Sequence, residues 1–299
     1  MSSRPPHRYS MIPGHKPSFA WLSSANSALV KRAVVFVHGF SGDAATTWTD
    51  FYRLPDNPAT ASPWWETVDL YFFDYFKQSV LSQISRNTLT LMDFLDFIWP
   101  KPDAAMTYIL SGLQRPDDFE YEDITLVGHS EGGLLIRKVI LETARHNQDI
   151  ETYRLLHDRT GKPEPAAKGL LKADLRLFAP AIGGESISGI LGLIAKLPFI
   201  SLITATSAAK LGLAPIATPV SSARKATDDY TEYLFMGCFR AHILWADDEK
   251  IVTSEPYQRD HSCRNLPVGT EHSSVCKPKS IYPLPLSFVE KGVVNGKCR

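Results

Sequence analysis

Ser130 stands in Gly128-His129-Ser130-Glu131-Gly132-Gly133, a G-x-S-x-G pattern, with the apolar run Ile124-Thr125-Leu126-Val127 just before it. A serine on a tight turn from strand to helix is held in a strained backbone conformation. Only glycines two residues to either side leave room for the chain packed against it. Its hydroxyl then projects past the sheet edge, at a helix N-terminus whose unpaired N–H groups favour developing negative charge. This is equipment for nucleophilic attack on an electrophilic carbon. The bland use of the same turn is packing of helix on strand, for which any small residue would serve at position 130.

A turn of this kind needs a sheet and helices to hold it. Ala33 to Val37 is an uninterrupted apolar run ending in His38-Gly39, as expected of a strand buried on both faces. Asp69 to Phe73 is a second such run, and Val80, Leu81, Ile84, Leu91, Leu95 and Ile98 then recur at helical spacing until Pro100 and Pro102 break it. A further helix is expected over 104–113. After Gly133, Leu135, Ile136, Val139, Ile140 and Ala144 share one face, with Arg137, Lys138, Glu142 and Arg145 turned elsewhere. Residues 157–169 read as a loop. Leu175 to Phe178 and Ala241 to Trp245 read as strands, and Arg264 to Val268 as a weak one because Pro267 lies inside it. Alternating strand and helix predict an α/β fold: a mainly parallel sheet with helices on both faces and right-handed crossovers. One domain over 19–299 is expected, with an apolar insertion at about 185–225, after a flexible tail at 1–18 rich in Pro, Gly and basic residues.

Val35-Phe36-Val37-His38-Gly39-Phe40, together with Gly128-His129-Ser130-Glu131-Gly132, resembles the α/β-hydrolase superfamily. Within it the likeness is to lipase-like serine esterases, whose strand ends in His-Gly-Phe and whose nucleophile elbow reads Gly-His-Ser-x-Gly-Gly. Leu177-Phe178-Ala179-Pro180-Ala181-Ile182-Gly183-Gly184 is similar to their Thr-Pro-His-x-Gly-Ser segment, with Ala179 and Ala181 in place of the threonine and histidine. The resemblance implies an oxyanion hole built from the backbone N–H groups of Phe40 and Glu131, and neither cofactor nor metal. His38 precedes the nucleophile and falls outside the Ser…acid…His chain order, so it reads as a residue that positions its loop. His129 reads as local packing in the elbow, and the Glu131 side chain as pointing outward.

A serine hydroxyl is a weak nucleophile until a base takes its proton. His272, in Gly269-Thr270-Glu271-His272-Ser273, follows the weak last strand, where the resemblance places the base. His261 is the other candidate, expected in a loop before that strand and on the surface. For the orienting acid, Ala241 to Ala246 is followed by Asp247, Asp248, Glu249, Lys250, Ile251 and Val252. The family's acid stands two residues before an Ile-Val pair, which selects Glu249. A loop one residue different selects Asp248, so both stay open, with Asp247 behind them. His242, inside a strand, reads as a core histidine.

Composition narrows the partners. The chain of 299 residues is 44% hydrophobic, enough for a substantial core, and its 32 basic and 32 acidic residues cancel. A zero net charge offers no general attraction to nucleic acid or to an anionic membrane. Four cysteines (Cys238, Cys263, Cys276, Cys298) form neither a disulfide framework nor a paired metal motif. Free buried thiols and a reduced, cytoplasmic setting are expected, a Cys263–Cys276 bridge being the alternative. No signal-peptide core opens the chain. The stretch from Ile187 to Ala209 is apolar, but Lys196 and Pro198 near its middle argue against a membrane span, since a central lysine costs about 2.5–3.5 kcal/mol on insertion. Ligand sites in open α/β sheets lie beyond the strand ends, so the insertion, with Ile190, Leu191, Ile194 and Phe199, reads as a cap or lid over Ser130. The expected activity is cleavage of a small carboxylic ester or lipid through Ser130, His272 and Glu249 or Asp248. Acyl transfer or amide hydrolysis by the same residues, and a non-catalytic ligand-binding module, are the alternatives.

Overall fold

The computed structural model describes residues 7–12, 18–23, 25–40, 42–54, 63–75, 83–102, 105–106, 115–157, 169–181, 240–252, 260–264, 269–294 and 297–298. The expected cap at 185–225, the stretch 187–209 and most of the expected helix at 104–113 lie outside these residues. Eight strands form one sheet: β1 (His7–Met11), β2 (Phe19–Ser23), β3 (Arg32–Val37), β4 (Val68–Phe73), β5 (Asp123–His129), β6 (Asp174–Phe178), β7 (Ala241–Trp245) and β8 (His261–Arg264). Their order is β1-β2-β4-β3-β5-β6-β7-β8. From β4 to β8 every neighbouring pair is parallel, while β1 with β2 and β2 with β4 are antiparallel. The mainly parallel α/β sheet is therefore as expected. Among the described residues no helix is long and apolar enough to cross a membrane.

The apolar runs explain the layering. All six residues of β4, and five of the six in β3, are buried, which requires cover on both faces. Phe36 lies with its ring centroid 5.1 Å from Trp48, 4.9 Å from Phe51 and 4.9 Å from Phe72. Three long helices pack on the sheet or each other: Gln83–Ile98, Glu131–His157 and Leu284–Lys291. Leu135, Ile136, Val139, Ile140 and Ala144 are buried, so the helix after Ser130 presents the expected face. Phe288 meets Phe178 of β6 edge to face at 4.9 Å and fastens the last helix to the sheet. Near the start of β4, buried Asp69 accepts from Arg115, Tyr121 and the Ser23 N–H, so its charge is satisfied on every side.

Four expectations change. Residues 7–11 are not part of a flexible tail: they pair with β2 from His7↔Ser23 to Met11↔Phe19, backbone hydrogen bonding that composition does not reveal. Arg137, expected to turn away from the apolar face, is itself buried and bonds Asp260, which also accepts from the Ala241 N–H at 3.0 Å. The last sheet strand is His261–Arg264, ahead of the expected 264–268, and pairs with β7. Cys263 is disulfide-bonded, while Cys276 is free and buried, with burial pushing its thiol up to about 12. Cys263 is therefore not a free thiol and its bridge is not to Cys276; such a bond also weighs against a reducing compartment.

Candidate active site

Parallel strands end at one edge, so the loops after β3, β5, β6 and β7 gather there. Ser130 forms the turn between β5 and the helix Glu131–His157, and its φ is 52°, a left-handed conformation uncommon for a residue with a side chain. The neighbouring strand end holds it so. The Ser130 N–H donates to Phe178 O at 3.0 Å, and the Ala181 N–H donates to Ser130 O at 3.1 Å. The segment Ala179-Pro180-Ala181, which departs from the family pattern in its side chains, braces the elbow through its backbone.

The glycine spacing has a steric cause. A Cβ on Gly132 would lie 2.3 Å from Val37 O and 2.5 Å from His38 O, and one on Gly128 would lie 2.7 Å from Gly133 N. The elbow is thus pressed against the end of β3. Across that contact a Cβ on Gly39 would come 2.8 Å from Ser130 Cβ. Phe40 follows Gly39, and Glu131 follows Ser130 as the first residue of its helix, so the two expected oxyanion donors each adjoin a residue of this contact.

His38 positions its own loop, and fixes it with a residue the motif reading missed. His38 is fully buried; its Nδ1–H donates to Gly39 O at 2.8 Å, while its Nε2 accepts from the Tyr75 N–H at 3.4 Å and lies 3.2 Å from Asp74 Oδ1. The other Asp74 oxygen accepts from the Ala44 N–H at 3.0 Å, and the Tyr75 hydroxyl donates to His38 O at 3.0 Å. The signal for Asp74 was its place: a carboxylate directly after a strand buried throughout.

Two of the residues expected as acid and base, Glu249 and His272, meet each other. The His272 Nδ1 stands 3.0 Å from each Glu249 oxygen, and both side chains are buried, 7% and 2% exposed. Glu249 Oε1 also accepts from the Ile251 N–H at 2.9 Å and the Val252 N–H at 3.1 Å. Those two bonds are the physical meaning of an acid two residues before an Ile-Val pair. The carboxylate caps the turn it starts, which aims it inward. Asp248 instead faces solvent and bonds Lys250, and the Asp247 N–H donates to the Thr270 hydroxyl at 3.2 Å. The Asp248 N–H donates to Thr270 O at 3.0 Å, zipping the acid loop to the loop that carries His272. His261 lies within β8, its ring stacked at 5.2 Å on that of His242. Burial holds the His242 imidazole down at about 4, helped by the Arg176 charge.

His129, the last residue of β5, reaches His272 as well. Its Nε2–H donates to His272 O at 2.8 Å, and the two rings lie 4.9 Å apart. Burial, then the neighbouring His272, press the His129 imidazole down to about 3, so it is neutral across the ordinary pH range. Among the described residues no hydrogen bond joins the Ser130 hydroxyl to the His272 ring. Such contacts commonly tighten only when substrate is bound. No group of three or more His, Cys, Asp or Glu among the described residues is placed to hold a metal ion.

Comparison with solved structures places this architecture. The mature lipase BlEst2 of Bacillus licheniformis is similar with a TM-score of 0.51 at 15% identity, over 91% of this chain and 97% of that one. A monoacylglycerol lipase of Paleococcus ferrophilus is similar with a TM-score of 0.43 at 13% identity, over 86% and 91%. Est1E of Butyrivibrio proteoclasticus is similar with a TM-score of 0.44 at 13% identity, over 90% of each. No protein-family model matches the chain, and no curated protein matches it in sequence. The chain has the α/β-hydrolase fold.

Proposed function

We propose that this protein is a serine hydrolase that cleaves a carboxylic ester through an acyl-enzyme on Ser130. The observation that carries the reading is His272 held at Nδ1 by both oxygens of a buried carboxylate, at the strand-end cluster where Ser130 occupies a strained turn. Glu249 fixes the tautomer with its proton on Nδ1, which leaves Nε2 able to accept.

The Ser130 hydroxyl oxygen attacks the acyl carbon while its proton passes to His272 Nε2. The carbonyl electron pair becomes an oxyanion received by the N–H groups of Phe40 and Glu131, each such donor being worth about a hundred- to a thousand-fold in rate. Collapse breaks the ester bond, and the alcohol leaves with the proton from His272. Water repeats the sequence on the acyl-enzyme and releases the acid. Glu249 stabilises the imidazolium present between the two transfers. No metal or redox group enters any of these steps.

What supports the ester class is chemistry needing only a nucleophile, a base and an oxyanion site, on a fold shared with a lipase. An apolar acyl group is the choice that the composition of residues 185–225 favours. The test is a chain-length series of p-nitrophenyl esters together with labelling by a fluorophosphonate. Turnover and labelling at Ser130, both abolished in Ser130→Ala and His272→Ala, are expected. A protein that neither turns over any ester nor labels would refute the reading, and would favour a binding module on the same scaffold.

A further inference from the structure

His129 touches three parts of the site at once. It adjoins Ser130 in the chain, its Nε2–H reaches the backbone carbonyl of His272, and a Cβ at Gly39 would come within 3.1 Å of its Nδ1. Its ring is buried, and it lies against the His272 ring at an interplanar angle of 44°. The loop carrying His272 is otherwise tied to the acid loop, through Thr270 and Glu249, and to its own turn, through Glu271 and Ser274. Among the described residues, the His129 bond is the hydrogen bond that ties this loop to the residue preceding the nucleophile.

We propose that His129 is a positioning residue that sets the distance between base and nucleophile, by clamping the backbone of His272 to the residue next to Ser130. This rests on the reading of Ser130 and His272 as nucleophile and base. The bond needs a donor, in a place packed closely enough that a Cβ on Gly39 would press on the ring. It also needs that donor to be uncharged, because an imidazolium forms next door during each proton transfer and a second cation would oppose it. A neutral imidazole with its proton on Nε2 meets both needs. Lysine would not. The charged and titratable groups around His129 are His272, Lys277 and His38.

Loss of this clamp lets the base drift by a fraction of an ångström to an ångström, which is enough to cost on the order of a hundred-fold in a positioned reaction. The test uses the full chain with His129→Phe, which keeps a ring and removes the donor, and with His129→Gln, whose Nε2 stands the same number of bonds from Cβ. With a p-nitrophenyl ester, His129→Phe is expected to lower kcat by about ten- to a hundred-fold. KM is expected to stay within about three-fold, and the acidic limb of the kcat/KM pH profile to move, because His272 is displaced from its partners. His129→Gln is expected to recover most of kcat and to restore the limb.

A role in packing alone predicts otherwise: both variants lower the melting temperature, yet each folded molecule keeps wild-type kcat and the wild-type acidic limb. That result overturns the proposal while leaving the hydrolase intact. If His129→Phe does not fold, unchanged kcat and an unchanged limb on His129→Asn, too short to reach the carbonyl, overturn it equally. A wild type that neither turns over ester nor labels at Ser130 overturns the hydrolase reading and this inference together.

Discussion

Replacing Glu249 by glutamine changes one atom, and the structure says which. Oε1 accepts from two backbone N–H groups, at 2.9 and 3.1 Å, so the amide oxygen of Glu249→Gln must take that place to keep both bonds. The NH2 group then stands where Oε2 was, 3.0 Å from His272 Nδ1. The NH2 group now opposes the Nδ1–H, and the one remaining acceptor, the oxygen in the Oε1 place at 3.0 Å, is already taken by two backbone N–H groups; the tautomer with its proton on Nε2 gains, and in it the ring can no longer accept a proton from Ser130. A wrong tautomer of this kind costs about 10³- to 10⁴-fold in kcat where such triads have been dissected. At about 1.4 kcal/mol per tenfold, that is roughly 4–5.5 kcal/mol of barrier. Asp248→Asn is the control. Asp248 is exposed and, among the described side chains, bonds the exposed Lys250, so kcat is expected to stay within about three-fold of wild type. Steady-state kcat on a p-nitrophenyl ester, with the fluorophosphonate labelling rate and a thermal melt to certify folding, decides between them. If folded Glu249→Gln keeps kcat within about ten-fold, or Asp248→Asn loses as much, the assignment of Glu249 is refuted.

Two further outcomes follow from the geometry. In Gly132→Ala the new methyl would lie 2.3 Å from Val37 O, a backbone atom that cannot swing aside, so a loss of about 3 kcal/mol in a urea melt is expected, with labelling abolished. A wild-type midpoint would show that the elbow is not pressed against β3. Stability should also fall with acid, because the folded His129 imidazole titrates near 3 and an unfolded one near 6.5. Between those values the unfolded chain binds the extra proton, so unfolding free energy decreases as pH drops through this window, by up to about 1.4 kcal/mol per pH unit for this one group. His242, held at about 4, adds to the same slope. Denaturant melts of wild type and His129→Gln at pH 7, 6, 5 and 4 measure it; identical slopes would sink the buried neutral histidine.

The elements closest to the chemistry were legible because their constraints are local. Val34 to Val37 and Ile124 to Val127 are buried on both faces, so their sequences carry no alternation to misread. The elbow glycines were legible because backbone contact forbids a side chain there. The choice between Glu249 and Asp248 was not legible from the acids alone, since adjacent carboxylates in a loop differ only by which way the chain turns. That turn is set by the Ile251 and Val252 N–H groups closing onto one of them. The partner of His129 lies 143 residues away, and no local pattern reports it. β1 escaped for a different reason. His-Arg-Tyr-Ser-Met offers only Tyr9 and Met11 alternating with Arg8 and Ser10, too short a pattern to stand out, and pairs at the sheet edge by backbone hydrogen bonds that every residue except proline can make.

The elbow is strained on purpose, and its neighbour shares the strain. Ala179, at the end of β6, also has positive φ, 38°, beside Ser130 at 52°. Left-handed residues with a Cβ cost on the order of 1–3 kcal/mol each, so two side by side persist only where the surroundings over-determine them. They do here. Ser130 N–H to Phe178 O, Ala181 N–H to Ser130 O and Ala179 N–H to Leu244 O link the ends of β5, β6 and β7 into one backbone network. β7 leads directly into Glu249, and β5 ends in His129, which bonds His272. In the proposed roles, nucleophile, acid and base are therefore not three loops meeting by chance above a sheet: Ser130 is bonded through its backbone to the end of β6, the acid loop to the His272 loop through Asp248 and Thr270, and His272 to the His129 ring at the end of β5.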